Sequence, residues 1–187
     1  MSSAFLADVE RYRRSDRSKG CIETVRAVVR NYGLHALIAY RLGRLLVDPR
    51  RAWHLWLFWP IAWPAYFILS SYVRLVYDIR LALSADIGPG LHISHFGGIS
   101  VRECRLGKHC SIAQQVQISS EDGKNGPDIG DRVWIGAHCK VEGHFRIGSE
   151  STLSAGAVIR RDIPEKSLCL GAPARIVIPG YDNRHLL

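Results

Sequence analysis

Aliphatic residues recur at every sixth position through the second half of the chain, between Ile87 and Ile159. An α-helix repeats about every 3.6 residues and an amphipathic strand about every 2, so neither element explains the pattern. A fixed hexad predicts a parallel β-helix, in which each hexad gives one short strand and one corner, and three hexads complete a coil. The repeated residues are Ile87, Ile93, Ile99, Leu106, Ile112, Ile118, Ile129, Ile135, Val141, Ile147, Leu153 and Ile159.

The hexad register is broken in two places. It slips by one residue before Leu106, and a larger break falls at residues 119–128, SSEDGKNGPD, whose Gly, Asn, Pro and charges predict an exposed loop. Residues 162–177 are predicted to leave the repeat, and the tail to Leu187 to cover its open end. The fourth position after each repeated aliphatic is also expected to point inward, and it holds small or apolar residues: Cys110, Val116, Val133, Cys139, Ser151 and Ala157.

The first half of the chain has a different pattern. Residues 2–19 are polar and predict a solvated arm. Residues 21–47 predict a helix, interrupted near Asn31–Gly33, with an apolar face made by Leu34, Leu37, Ile38, Leu42, Leu45 and Leu46. The chain is therefore divided into an N-terminal helical region (1–78), a β-helix (79–177) and a C-terminal tail (178–187).

Residues 53–73, WHLWLFWPIAWPAYFILSSYV, contain no Asp, Glu, Lys or Arg. This length suffices to cross a bilayer, but Pro60 and Pro64 interrupt a helix, and Trp and Tyr favour the membrane interface over its centre. Three interpretations stay open: a helix lying in one leaflet, a buried contact between subunits, and a membrane span.

The formal net charge of +8 is uneven along the chain. Residues 1–85 carry 13 Lys and Arg against 6 Asp and Glu, whereas residues 86–187 carry 12 against 11. No nucleic-acid motif is present, and an anionic membrane face is the better partner for the basic half. The chain shows no signal peptide, and its five cysteines form no C-x-x-C pair, so we expect a cytoplasmic protein at the inner face of the membrane, without a metal site.

Two stretches suggest catalysis. His95 is followed by Phe96, Gly97 and Gly98, and two glycines let another backbone or a ligand come close. Near the end of the repeat, a basic segment with a tight turn could hold phosphate groups through Arg160, Arg161, Lys166 and Arg175. A surface imidazole without a function is the alternative interpretation of His95.

Three blocks, in order, resemble the hexapeptide-repeat acyltransferases, and most closely the serine O-acetyltransferase group. GLHALIAYRL (33–42) is similar to the end of that group's helical domain, and IGPGLHISHFGGI (87–99) to its active-site coil. Residues 158–164 with 171–175 are similar to its ending. The resemblance implies a mainly β chain, with a left-handed parallel β-helix of hexapeptide repeats behind an N-terminal α-helical region.

The resemblance also implies that His95 is the general base of an acetyl-CoA-dependent O-acetyltransferase, transferring the acetyl group directly to an acceptor hydroxyl. An imidazole in this role needs a carboxylate to orient it. A coil of three hexads places position 77 below His95, so Asp78 is the first candidate and Asp86 the second. Both residues could equally be solvated turn residues.

In this family acetyl-CoA is the co-substrate and lies between two subunits of a homotrimer; pairing of two trimers stays open here. The implied lining consists of small residues, and the implied phosphate contacts are cations: Gly136, Ala137, Ser154, Ala155 and Ala172, with Arg160, Arg161 or Arg175. Plain packing at the coil corners explains the small residues nearly as well.

The chain departs from the serine acetyltransferase pattern at the acceptor. Ser94 stands where that group has an Asp before the catalytic His, and Gly126 stands where it has a second His before a Pro. An Asp in its helical domain has its best counterpart at Ser18, and another aligns near Arg80. We therefore expect a sugar hydroxyl of a polysaccharide or lipid-linked precursor as acceptor. Serine O-acetylation in cysteine biosynthesis and a non-catalytic trimeric scaffold are the alternatives.

Overall fold

A computed structural model describes residues 2–15, 31–47 and 59–186 of the chain. In these parts three helices precede fifteen short strands. The helices are α1 (Ser2–Ser15), α2 (Tyr32–Val47) and α3 (Trp59–Val76). The strands are β1 (Ile79–Leu81), β2 (Asp86–Ile87), β3 (His92–Ile93), β4 (Ile99–Val101), β5 (Arg105–Leu106), β6 (Ser111–Ile112), β7 (Gln117–Ser119), β8 (Asp128–Ile129), β9 (Trp134–Ile135), β10 (Lys140–Glu142), β11 (Arg146–Ile147), β12 (Thr152–Leu153), β13 (Val158–Ile159), β14 (Ser167–Leu170) and β15 (Arg175–Pro179).

The strands form three sheets that make the three sides of a parallel β-helix. The first sheet has the order β1-β4-β7-β10-β13, the second β11-β8-β5-β2, and the third β15-β14-β12-β9-β6-β3. Each strand from β4 to β13 therefore stacks on the strand three places before it in the chain, as three hexads per coil require. The predicted fold, a mainly β chain with a β-helix of hexapeptide repeats behind an N-terminal helical region, is confirmed.

The core of the β-helix is the column of side chains that the hexad pattern predicts. All twelve repeated aliphatics are 3% exposed or less. The six residues at the fourth following position, including Cys110, Cys139 and Ser151, are fully buried. Two inward positions per hexad thus fill the prism, and the small size of the second set leaves room for the first.

The predicted register is wrong at one corner. Val101, and not Ile99, stacks between Leu81 and Ile118 in the first sheet, while Ile99 pairs with Ile79. The corner between Ile93 and Val101 is therefore two residues longer than a standard hexad. For the same reason the prediction that position 77 lies below His95 is wrong, because 20 residues separate Ile79 from its partner Ile99.

The repeat also continues further than the sequence predicts. Ile163 forms a parallel bridge with Ile147, and β14 pairs in parallel with β12, so residues 162–170 add to the stack. The hexad period is lost there because the coil is shortened to 16 residues between Thr152 and Leu168. Strand β15 then returns antiparallel to β14. The buried Asn183 donates its side-chain amide to the Arg132 carbonyl at 2.8 Å, so the tail folds back along the side of the β-helix.

The predicted solvated arm is a helix. In α1, Asp8 and Tyr12 lie four residues apart on one face and are both buried. Tyr12 accepts a hydrogen bond from the Ile93 amide at 2.8 Å, and Asp8 accepts one from the Gly90 amide at 2.6 Å. The face that packs on the first coil is polar because it meets backbone donors, and so it gives little hydrophobic signal.

Only part of the apolar segment 53–73 falls in the structure, since residues 53–58 lie outside the described residues. Helix α3 begins at Trp59, contains Pro64 and packs against α2. Several large apolar side chains of this helix are exposed: Ile61, Phe67, Ile68 and Leu75 are each at least 68% exposed. Within residues 2–15, 31–47 and 59–186, none of the helices has both the length and the hydropathy needed to cross a bilayer.

Candidate active site

His95 occupies the long corner between β3 and β4, here called the His95 corner (Ser94–Gly98). Its side chain and that of Phe96 are exposed, and Gly97 and Gly98 have φ values of 101° and 67°. These φ values are available to glycine at little cost, and they bend the two extra residues outward. In the described part of the chain, no side chain or backbone group forms a hydrogen bond with the His95 imidazole, which leaves both ring nitrogens available to a ligand.

The backbone of the His95 corner is fixed from both sides. Three successive amides are held from below: Gly97 donates to the Tyr77 carbonyl at 2.9 Å, Gly98 to the Asp78 carboxylate at 3.0 Å, and Ile99 to the Asp78 carbonyl at 3.1 Å. From the next coil, the Gln115 amide donates to the Gly97 carbonyl at 2.8 Å. An exposed imidazole on a fixed backbone suits a catalytic base, since it is positioned without being occupied.

Aromatic residues from the helical region line the side of this corner. The Tyr32 hydroxyl donates to the Ser94 carbonyl at 2.6 Å, and the Tyr32 ring meets Phe96 edge-on at 5.1 Å. Tyr77 lies 6.4 Å from Phe96, ring centre to ring centre, and its hydroxyl is 3.2 Å from His35 Nδ1. Helix α2 thus contributes directly to the wall beside His95.

The two candidate carboxylates take different positions. Asp78 accepts the Gly98 amide and pairs with Arg80 at 3.0 Å, so it touches the backbone beside His95 and not the imidazole. The Asp86 side chain is 72% exposed and faces Arg44 at 3.9 Å, on the second sheet. An orienting role for either residue stays a prediction, and the contact with Gly98 makes Asp78 the better placed of the two.

A second histidine, which the sequence analysis missed, lies next to the corner. His92 is largely buried against Tyr12, with ring centres 4.9 Å apart, and its Nδ1 is 3.3 Å from the Ser94 hydroxyl. Burial, with smaller contributions from Arg11 and His95, lowers the pKa of His92 to about 4. His92 is therefore neutral at pH 7, and the isolated sequence offers no signal for this because α1 provides the cover.

The small residues predicted to line CoA lie on one edge of the prism with His95, here called the stacked edge. The backbone ladder defines it: the amides of Ser94, Ala113, Gly136 and Ser154 each donate to the coil above, at 2.8–2.9 Å. His95, Gln114, Ala137 and Ala155 consequently follow one another, coil upon coil. At the strand spacing of about 4.8 Å, the three steps between them span roughly 14 Å.

Of the predicted cations, only Arg175 lies near the top of this edge, since Arg160 and Arg161 follow β13 at the corner between the first and second sheets. Two hydrogen bonds hold the turn Gly171–Arg175 over this edge. The Val158 amide donates to the Gly171 carbonyl at 3.0 Å, and the Ala174 amide donates to the Val158 carbonyl at 2.9 Å. Ala172, Arg161 and Arg175 are exposed, while Arg160 pairs with Glu142 at 3.4 Å. One exception to a ligand-lining role is Gly136: a Cβ there would lie 2.6 Å from the Ala155 amide, so coil packing alone requires this glycine.

The described cysteines are unsuited to covalent catalysis. Cys104, Cys110, Cys139 and Cys169 are all buried, and burial raises the pKa of Cys104 and of Cys110 to about 12. A thiol with so high a pKa supplies almost no thiolate at neutral pH. Among the described cysteines, none is a credible acyl carrier.

The loop between β7 and β8 is rigidly built at its tip and tightly packed at its base. The Asp122 carboxylate accepts hydrogen bonds from the Ser120 hydroxyl and from the Lys124 and Asn125 amides, which lower its pKa. A Cβ added at Gly126 would fall 1.5 Å from the Glu103 carbonyl oxygen. The loop in this conformation therefore has no space for a side chain at the position where serine acetyltransferases carry their second histidine.

Comparisons with known proteins agree with this fold. Residues 126–161 match the family model for the bacterial transferase hexapeptide (six repeats). A serine acetyltransferase of Staphylococcus aureus is 29% identical over 174 residues, 87% of this chain and 76% of the relative. The structure of a Neisseria gonorrhoeae serine acetyltransferase in complex with serine gives a TM-score of 0.74 at 29% identity, covering 95% of this chain and 69% of that one. A serine acetyltransferase in complex with CoA gives 0.71 at 25% identity, covering 94% and 68%.

These similarities confirm the predicted class, a hexapeptide-repeat transferase that resembles the serine acetyltransferases. They also confirm that the chain is an acetyl-CoA-dependent O-acetyltransferase. None of these relatives is named for a sugar or polysaccharide acceptor. The comparisons thus favour the serine alternative over the sugar acceptor that the sequence analysis placed first.

Proposed function

We propose that this chain transfers the acetyl group of acetyl-CoA directly to an acceptor hydroxyl, with His95 as the general base. The observation that carries the proposal is the position of the unpartnered His95 imidazole at the foot of the stacked edge. An extended thioester lying along that edge brings its carbonyl carbon to the imidazole. The CoA complex of the similar serine acetyltransferase supports acetyl-CoA as the co-substrate.

The reaction needs one proton shuttle and no covalent enzyme intermediate. His95 takes the proton of the acceptor hydroxyl as its oxygen attacks the thioester carbon, and the CoA sulfur leaves as the tetrahedral intermediate collapses. A positioned imidazole typically contributes about 10²–10⁴-fold to such a step. We expect a backbone N–H of a neighbouring coil or subunit to bind the oxyanion. Arg175, exposed near the top of the edge, is the proposed contact for the CoA phosphates.

L-serine is the first candidate for the acceptor. The serine acetyltransferase similarity extends over 87% of this chain, and the similar Neisseria protein binds serine. The aromatic wall of Tyr32, Tyr77 and Phe96 supplies one side of the acceptor site. This assignment places the chain in cysteine biosynthesis.

A sugar hydroxyl is the second candidate, and one observation favours it. The close packing of Gly126 on the Glu103 carbonyl excludes a histidine at 126 unless the loop moves. Ser94 likewise supplies a hydroxyl in place of a carboxylate beside His95. A serine acceptor then lacks two of the groups that bind it in the family, whereas a neutral sugar requires neither charge.

The test is acetyl-CoA consumption by the wild-type protein and by His95→Ala, with L-serine offered in one series and a panel of free and lipid-linked sugars in the other. The expected result is turnover in one series that falls at least about 100-fold in His95→Ala. His185→Ala, in the exposed tail away from the stacked edge, is the matched control and should keep wild-type turnover. Turnover by His95→Ala at the wild-type rate contradicts the proposed base.

Turnover combined with a CoA titration tests the scaffold alternative. Titration with CoA in a calorimeter measures binding without catalysis, so it separates a protein lacking the right acceptor from one that binds no CoA. CoA binding without turnover on any acceptor keeps the enzyme proposal and excludes the acceptors tried. Absence of both CoA binding and turnover favours the non-catalytic scaffold.

We further propose that the functional unit is a homotrimer located in the cytoplasm, where acetyl-CoA is available, against the inner face of the membrane. The exposed apolar surface of α3 supports an additional contact, because apolar patches of this size are rarely left open to water. Arg74, near the end of that helix, supplies positive charge for an anionic lipid surface.

A further inference from the structure

A groove separate from the stacked edge runs between α3 and the outer face of the first sheet, here called the sheet groove. Its volume is about 630 Å³, and its walls come from α2, α3, β1, β4, β7 and β10. That volume lies within the range of sites for small molecules and cofactors. The residues of the stacked edge, including Ala137 and Ala155, do not line it.

The charges facing the sheet groove are mostly positive. Three arginines line it, Arg74 from α3, Arg80 from β1 and Arg102 after β4, against the single carboxylate of Glu142. Arg80 is neutralised by Asp78 at 3.0 Å, and Glu142 by Arg160 at 3.4 Å. Arg74 and Arg102 make no ion pair within residues 2–15, 31–47 and 59–186, which leaves two uncompensated guanidinium groups on opposite walls.

The remaining lining combines hydrogen-bonding groups with an apolar floor. Hydroxyl and amide groups project from both walls: Ser70, Ser71, Ser100, Gln117 and Ser119. Tyr66, Phe67, Val73 and Ile79 supply the apolar surface. Guanidinium groups bind phosphate oxygens in pairs of parallel hydrogen bonds, and hydroxyl groups suit a polyhydroxylated ligand.

We propose that the sheet groove is a binding site for a phosphorylated, hydroxyl-rich small molecule, with Arg74 and Arg102 holding the phosphate from opposite sides. This proposal does not depend on the acceptor chosen above. Ser100 follows the His95 corner by two residues, and Asp78 contacts both Arg80 of the groove and Gly98 of the corner. One end of the groove therefore adjoins the catalytic base, and the ligand is either a phosphorylated acceptor or an effector that acts on the corner.

Calorimetric titration of the full-length protein, with CoA present at saturation, tests the site. The probes are glucose 1-phosphate, UDP-glucose and inorganic phosphate. We expect at least one organic phosphate to bind, and Arg74→Gln and Arg102→Gln each to weaken it by about tenfold or more. Arg105→Gln, an exposed arginine on the second sheet, is the matched control and should bind as the wild type does.

Thermal unfolding of each variant checks that the fold persists, which the exposure of both arginines leads us to expect. If one variant unfolds, the other still tests the opposite wall. Mass spectrometry of the bound probe after incubation with acetyl-CoA then identifies its role: an acetylated probe is the acceptor, and an unmodified probe is an effector. Failure of all probes to bind at millimolar concentration, or equal binding by both variants, overturns the proposal. A parallel loss of CoA affinity in both variants also overturns it, because the groove would then belong to CoA.

Discussion

Asp78 connects the base of the β-helix to the His95 corner. It has a positive φ of 48°, and its side chain and carbonyl hold two consecutive amides of the corner, those of Gly98 and Ile99. The geometry assigns it a positioning function through the backbone, in place of the direct contact with the imidazole that the sequence analysis expected.

We expect Asp78→Ala to lower kcat by about 10–100-fold with little change in the KM for acetyl-CoA, because a displacement of the corner moves the imidazole from its line of attack. Asp78→Asn should keep most of the activity, since the amide oxygen still accepts the Gly98 hydrogen bond. Steady-state kinetics of the two variants measures this. If Asp78→Asn is impaired as strongly as Asp78→Ala, the negative charge is required and the orienting role is supported; wild-type kcat in Asp78→Ala refutes both roles.

His92 gives a prediction about stability and pH. Its pKa falls from an ordinary 6.5 to about 4 in the folded protein, chiefly because α1 buries it. Between these values the unfolded chain binds a proton that the folded chain does not, so the free energy of unfolding decreases as the pH falls from about 6.5 towards 4. At pH 5 the loss attributable to this group is about 2 kcal/mol.

Urea unfolding of the wild type and of His92→Gln, at pH 7 and pH 5, measures this contribution. The glutamine stays neutral at both pH values, so the variant should lose less stability than the wild type over this interval. His185→Gln, in the exposed tail, is the control and should follow the wild type. Equal losses in wild type and His92→Gln would show that His92 is protonated in the folded state as readily as in the unfolded chain.

At the scale of elements, the helices are fastened to the first coil by a buried polar cluster. Asp8 is 0% exposed and pairs with Arg41 at 3.1 Å. Arg41 also donates to the Ile87 and Gly88 carbonyls at 2.7 Å. The burial of Asp8 raises its pKa despite the neighbouring Arg41, so desolvation opposes the pair and the Gly90 amide hydrogen bond helps to retain it.

We expect Asp8→Ala to lower the free energy of unfolding by about 3 kcal/mol, because it leaves Arg41 and the Gly90 amide without their acceptor. Asp8→Asn keeps an acceptor and should cost less. Chemical denaturation followed by circular dichroism measures both variants, with Leu6→Ala, at an exposed position of the same helix, as the control. A stable Asp8→Ala variant would mean that α1 does not depend on this cluster for its attachment.

The hexad period predicts some elements of this fold and not others. The column of buried aliphatics could be predicted because one side chain per hexad must fill the prism, whatever the corners do. The long His95 corner could not be predicted, because Ile99 and Val101 are both aliphatic and β-branched. Either residue can be the inward-pointing aliphatic of its hexad, so the sequence does not show where the extra residues lie. Helix α1 could not be predicted from periodicity, because its packing face contacts backbone amides and not an apolar surface. Asp8 and Tyr12 accept hydrogen bonds from amides of a coil some 80 residues away in the sequence. The sequence alone predicts His95 as the base, which stays a prediction. Its neighbours Tyr32, Tyr77 and His92 could not be predicted, because tertiary packing brings them there.

At the scale of the whole molecule, the stacked edge provides only one side of the CoA site that we propose. His95, Ala155 and Arg175 are exposed along it, and a ligand bound there in a single chain keeps its outer side open to water. A second chain packed against the edge closes the site and excludes water from the thioester. The trimer implied by the family resemblance supplies that second surface.

We therefore expect activity to depend on assembly. Light scattering coupled to size-exclusion chromatography should give a mass of three 21.0 kDa chains at micromolar concentration. On dilution into the range where trimers dissociate, the turnover per chain should fall together with the trimer fraction, because the affinity for CoA and the exclusion of water are lost at the same step. Detergent below its critical micelle concentration separates this effect from association through the apolar surface of α3. A monomer with undiminished turnover per chain would mean that one edge binds CoA by itself, and the site would then have to be closed by the chain's own helices.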